Sequence, residues 1–149
     1  MKKSLILLNF LTVFSINIFA QKVEKLMLLE NEIPNEYKIV ESNKCKSIQS
    51  TLLFKNPEMY EMLYGKIVSK KIQNFENSED SGSVLYLEFE KKFESESFIK
   101  GLIWGESKNP TEKNPEEIMV KNNILVIWSF NKISKLKEIS KKKIEFEIK

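Results

Sequence analysis

Ser83-Val84-Leu85-Tyr86-Leu87-Glu88-Phe89-Glu90 (residues 83–90) alternates, from Leu85 onward, between apolar and other side chains. Successive side chains of a strand point to opposite faces. Leu85, Leu87 and Phe89 therefore share one face, and Tyr86, Glu88 and Glu90 the other. The pattern predicts a strand buried on one side and solvated on the other.

Working outward, the polar run ENSEDSGS (76–83) before this strand predicts a turn, and Lys66–Phe75 before that is strand-like. After it, Ser95 or Ser97 can cap a helix carrying Phe98, Leu102 and Ile103, with Gly105 as its stop. Asn123–Phe130 (NILVIWSF) is a nearly continuous apolar strand. The first half shows a similar order. Ser47–Phe54 predicts a strand, and Asn56-Pro57-Glu58 is a helix start, with Asn as N-cap, Pro at the first helical position and Glu at the positive end of the dipole. A helix with Met59, Met62 and Leu63 at helical spacing follows, ended by Gly65. Leu63-Tyr64-Gly65 and Ile103-Trp104-Gly105 match in type and place. The predicted fold is a single small α+β domain with ferredoxin-like βαββαβ order, with extra N- and C-terminal segments.

The 149 residues, 42% hydrophobic and 30% charged, suffice for one core. Residues 1–20 are expected to be a cleaved signal peptide, with Lys2 and Lys3, an apolar run from Leu5 to Phe19, and cleavage after Ala20. Asn9, Thr12, Ser15 and Asn17 interrupt that run, which is too short for a comfortable membrane span. The mature chain is then secreted or periplasmic, and contact with the membrane is expected only through an uncleaved signal segment. Residues 21–44 are predicted to be an N-terminal extension on a domain over 45–149. The lone Cys45 cannot form an internal disulfide and is expected to be buried. At the C-terminus, Ile133, Leu136 and Ser140 suit a helix, whereas Ile144, Phe146 and Ile148 alternate like an edge strand.

Removing Lys2 and Lys3 leaves 24 − 2 = 22 basic against 21 acidic groups, a net charge of +1. All the basic residues are lysine. Without arginine's bidentate fork, and in an exported chain, nucleic-acid recognition is not expected. Lys141-Lys142-Lys143 is read as a solvated end of an element. The absence of histidine removes the commonest general base and zinc ligand. Asp80 is the single aspartate, so no calcium loop of the EF-hand kind exists. No metal or cofactor is expected.

Two catalytic designs survive this composition: a glutamate pair (Glu88/Glu90, Glu94/Glu96 or Glu116/Glu117) and a Ser–Lys dyad (Ser69 with Lys70 or Lys71). Either would make the protein a small extracellular hydrolase. No catalytic residue is assigned, however, because neighbours in a strand or helix do not converge. The favoured expectation is a non-catalytic binding module. Ile124, Val126, Trp128 and Phe130 are apolar on one face of their strand, with Leu125 and Ile127 on the other, so something must cover both faces. The chain's own terminal segments, a second copy or a ligand could each do so.

A homodimer or another exported protein is the expected partner, with Tyr86, Trp104 and Trp128 as candidate binding residues. Asn109 and Glu116 complete the candidate set. They lie in Asn109-Pro110-Thr111-Glu112 and Asn114-Pro115-Glu116-Glu117, each read as the start of a single helical turn within a long connection from Gly105 to Asn122. Gly101, inside the second helix, costs about 1 kcal/mol against Ala and is expected to let that helix lie close to the sheet.

Overall fold

The computed structural model describes residues 22–41, 54–107, 109–111, 115–130 and 133–148. The signal segment, Cys45 and the strand expected from Ser47 lie outside these residues, apart from Phe54, which forms a helical turn with Lys55. The described elements are α1 (residues 22–26), a 3-10 turn at Glu30–Glu32, β1 (Lys38–Val40), α2 (Glu58–Tyr64), β2 (Ile67–Glu76) and β3 (Ser81–Phe89). Then come α3 (Glu96–Trp104), a 3-10 turn at Gly105–Ser107, β4 (Glu117–Lys121), β5 (Ile124–Ser129) and α4 (Lys135–Glu147). They form a small α+β domain around one antiparallel sheet with strand order β1-β2-β3-β5-β4.

This order departs from the expected βαββαβ. Two strands, not one, follow α3, and β5 inserts between β3 and β4. β4 lies where a long connection with restarted helical turns was expected. Asn109–Thr111 are not helical, and Pro115-Glu116 runs directly into the strand. β4 and β5 pair from Glu117↔Trp128 to Lys121↔Ile124, which leaves Asn122-Asn123 as a two-residue turn. Asn122 has φ 56°, a left-handed conformation that asparagine tolerates better than most residues. The Asn123 side chain donates to Phe89 O at 2.7 Å and so ties the turn to the end of β3. Between β2 and β3, Asn77 Oδ1 accepts from the backbone N–H groups of Glu79 and Asp80, closing the expected polar turn.

Pro57 O accepts from Tyr60 N and Glu61 N at 2.9 Å each, so α2 begins within Asn56-Pro57-Glu58, but its N-cap is Pro57 and not the expected Asn56, and no side chain caps it. Gly65 and Gly105 follow α2 and α3 with φ 76° and 70°, left-handed values that favour glycine and stop both helices. α4 begins at the N-cap Ser134, whose side chain accepts from Lys137 N. It runs unbroken to Glu147, so the strand alternative for Ile144, Phe146 and Ile148 is not realised. Its buried stripe is Leu136, Ser140 and Ile144, one residue per turn.

Both faces of the sheet's central strands, β3 and β5, are covered by the chain itself. Leu85, Leu87, Phe89, Leu125 and Ile127 pack against Tyr60 and Tyr64 of α2 and Ile99, Ile103 and Trp104 of α3. On the other face, Val84, Tyr86, Ile124, Val126 and Trp128 pack against Val23, Leu26 and Leu28 from the N-terminal segment and Leu136 and Ile144 from α4. Of the three possible covers for the doubly apolar strand, the terminal segments are the one found. β3 is consequently not solvated on either side. Tyr86 and Glu88, expected on a polar surface, are fully buried, and only Glu90 is exposed.

Candidate functional site

The sequence-predicted site residues do not converge. Tyr86 and Trp128 belong to the core under α4, where their polar ends are met inside the chain. Tyr86 donates its hydroxyl to Gln73 Oε1 at 3.0 Å, and Trp128 Nε1 donates to Ser140 Oγ at 3.0 Å. Gln73 also holds Leu28 by two hydrogen bonds, accepting from its N–H and donating to its C=O, each 2.9 Å. These aromatics thus anchor the chain's own terminal segments. Trp104 and Glu116 do meet, on the opposite face, where the indole Nε1 donates to the Glu116 backbone oxygen at 2.5 Å. Asn109 is exposed in the connection between α3 and β4.

The glutamates of each candidate pair have different surroundings, and backbone alternation sends Glu116 and Glu117 to opposite faces. Glu117 lies on the α4 side, held by Lys137 Nζ at 2.5 Å and by Lys141. Burial raises the Glu117 carboxyl's pKa, but the two ammonium groups outweigh it and hold the group below its ordinary value. The neighbouring Glu116 is buried on the side of Trp104, and neither carboxyl oxygen has a hydrogen-bond partner among the described residues. Glu88 is buried with Asn123 Nδ2 at 3.2 Å and Lys22 Nζ at 3.6 Å on one oxygen, whereas Glu90 accepts from Lys66 N at 3.4 Å. Glu96 pairs with Lys100 at 3.0 Å, one turn along α3. Ser69 is nearly buried on β2, but Lys70 reaches Phe54 O at 2.7 Å and Lys71 pairs with Glu24 at 2.9 Å. Among the described residues, no group of three or more histidine, cysteine, aspartate or glutamate side chains could hold a metal ion.

A surface feature absent from the sequence reading is more informative. A groove of about 700 Å³ runs between the C-terminal end of α2 and the length of α3. Leu63, Tyr64, Phe98 and Leu102 supply its apolar lining, and Lys91, Lys92, Glu94 and Ser95 from the β3–α3 connection, with Ser97 of α3, supply its polar lining. Leu63 and Phe98 are roughly half exposed, at 46% and 48%, and the adjacent Met62 is 86% exposed. Tyr64 forms the inner wall, edge-on to Phe93 and Phe89 with ring centroids 4.7 and 6.0 Å apart.

Part of this was readable in the sequence. α3 carries apolar residues at 98, 99, 102 and 103, a wider arc than one buried stripe needs. The structure buries Ile99 and Ile103 and leaves Phe98 and Leu102 facing out. Among the described side chains of α2, Tyr60 and Tyr64 are buried, one turn apart, whereas Met62 and Leu63 of the expected Met59, Met62 and Leu63 are exposed.

The chain matches no protein-family model, no curated protein and no solved structure at a significant level. Among the described residues, no helix is long and apolar enough to cross a membrane.

Proposed function

We propose that this chain is a small exported binding module without catalytic groups of its own, and that it takes an apolar ligand in the groove between α2 and α3. One observation carries the reading. The apolar side chains of the central strands β3 and β5 are all covered by the chain, while Leu63, Phe98 and Leu102 are left 46%, 48% and 37% exposed around a concave surface. A cluster of this kind marks a binding site more often than an accident of packing. Export rests on the character of residues 1–20. A second copy as partner, first suggested by the doubly apolar β5, draws less support now that the terminal segments cover that strand. A ferredoxin-like arrangement of the elements is part of the same proposal. Its support is limited to β3, α3 and β4, where the chain leaves one strand and returns parallel to it two positions away.

The test uses Nile red, a neutral dye whose fluorescence rises in apolar surroundings. The purified protein is expected to enhance it saturably, and the double variant Phe98→Ser/Leu102→Ser to abolish the enhancement while keeping the wild-type circular dichroism spectrum. Equal enhancement by both proteins would sink the proposal.

A further inference from the structure

We infer that the groove's ligand is an anionic amphiphile, a single acyl chain with a carboxylate head group. The chain would lie on Leu63, Phe98 and Leu102, and the head would be held by Lys91 and Lys92. This rests on the groove being a binding site at all, and adds the chemistry of what it binds.

Size and lining agree with such a ligand. A volume of about 700 Å³ is ordinary for a small-molecule site, and an acyl chain needs apolar contact along its length with polar groups at one end only. Charge supplies the second reason. Both lysines are exposed, and neither forms an ion pair among the described residues. Glu94 is the one acid among the described lining residues, which leaves a net charge of +1 in that lining. By contrast, Lys100 on the same helix is occupied by Glu96. A lysine lays its methylene stem on apolar surface and keeps the ammonium in water, a good arrangement for the head of an amphiphile.

The third reason is Gly101. It sits in the middle of α3, where glycine is the poorest helix former after proline. Its φ is not positive, so the backbone does not require a glycine. Nor does packing, because a methyl group placed there would meet nothing within 4 Å. The close approach to the sheet expected from the sequence is therefore absent. Gly101 instead lines the groove, where a larger side chain would project into the space an acyl chain would fill.

Displacement of Nile red from the purified protein tests the inference, with dodecanoate, dodecanol and dodecyltrimethylammonium each kept below aggregation. Dodecanoate is expected to displace the dye most strongly. Decanoate should be weaker by up to about fifteenfold, the factor for two fully buried CH2 groups. Lys91→Gln/Lys92→Gln should weaken dodecanoate about tenfold and leave dodecanol unchanged. Gly101→Leu should remove binding of both without lowering the thermal midpoint.

Equal displacement by dodecanol or by the cationic amphiphile would overturn the inference. So would an unchanged dodecanoate affinity in the lysine variant, or co-sedimentation with phosphatidylglycerol vesicles in place of displacement by free dodecanoate. If Nile red binds in the groove and no fatty acid displaces it, the groove stands and the ligand class falls. If Nile red does not bind, both fall.

Discussion

Trp128 Nε1 donates to Ser140 Oγ at 3.0 Å, joining the most apolar strand to the helix that covers it. The serine hydroxyl also interacts with Tyr86. One small polar side chain on the buried stripe of α4 therefore serves two aromatics, and its burial is complete. Ser140→Ala is expected to leave the indole N–H without its acceptor, at about 1–2 kcal/mol of stability. Urea unfolding followed by tryptophan fluorescence reads this directly. Trp128→Ala removes a core side chain, and should cost roughly 3–5 kcal/mol.

Glu116 predicts the opposite sign. A buried carboxyl group without a hydrogen bond is a standing cost to the folded state. Glu116→Met keeps the volume and removes the polar atoms, so it should raise stability by about 1–2 kcal/mol in the same unfolding experiment. A loss of stability would mean that the carboxylate has a use the fold depends on.

Two glycines should also respond in opposite directions. Gly101→Ala gains helix propensity and meets no neighbour, so it should stabilise by about 1 kcal/mol. Gly82→Ala, in β3, would place its methyl 2.1 Å from a ring atom of Phe130. That ring stacks on Phe75 at 6.3 Å, so relieving the clash disturbs this contact. A loss of roughly 1–3 kcal/mol is expected, and thermal melts of the two variants against wild type decide the matter.

The pH dependence follows from Glu117, Glu32 and Lys141. Burial raises the pKa of both carboxyls, but hydrogen bonds and ion pairs outweigh it, from Lys137 and Lys141 at Glu117 and from Leu29 N–H and Lys143 at Glu32. Groups lowered in this way contribute stability above the unfolded carboxyl pKa of about 4.3, and lose it as pH falls through the folded value. Burial lowers the pKa of Lys141, yet Glu117 and Glu138 raise it overall, so its contribution is complete below about pH 10.4 and is lost as pH rises through its folded value. The chain has no histidine, the one side chain whose ordinary pKa places its charge change between about pH 5 and 8. The thermal midpoint should thus be flat from about pH 5 to 7 and fall below about pH 4. Glu117→Gln should make the acid fall shallower, and a midpoint that dropped between pH 7 and 5.5 would contradict the assignment.

Local pattern alone was enough for the elements whose residues carry their own period or their own stop. Strand alternation marked β3, Asn56-Pro57-Glu58 and Gly65 bracketed α2, and Gly105 closed α3. The missing histidine and arginine narrowed the chemistry, and the double apolar face of β5 required a cover on each side. The identity of the covers depended on contacts between distant residues. Tyr86 and Glu88 read as solvated because tyrosine and glutamate usually are. They are buried because Gln73, Ser140, Asn123 and Lys22 arrive from other elements to meet them.

β4 was invisible for the same reason. Glu117–Lys121 has no clean alternation, and its hydrogen bonds exist only once β5 lies beside it. The groove depends on which apolar stripe of α3 turns toward the sheet. A period fixes the spacing of such stripes, but only packing against β3 and β5 chose Ile99 and Ile103 for the core and left Phe98 and Leu102 outside.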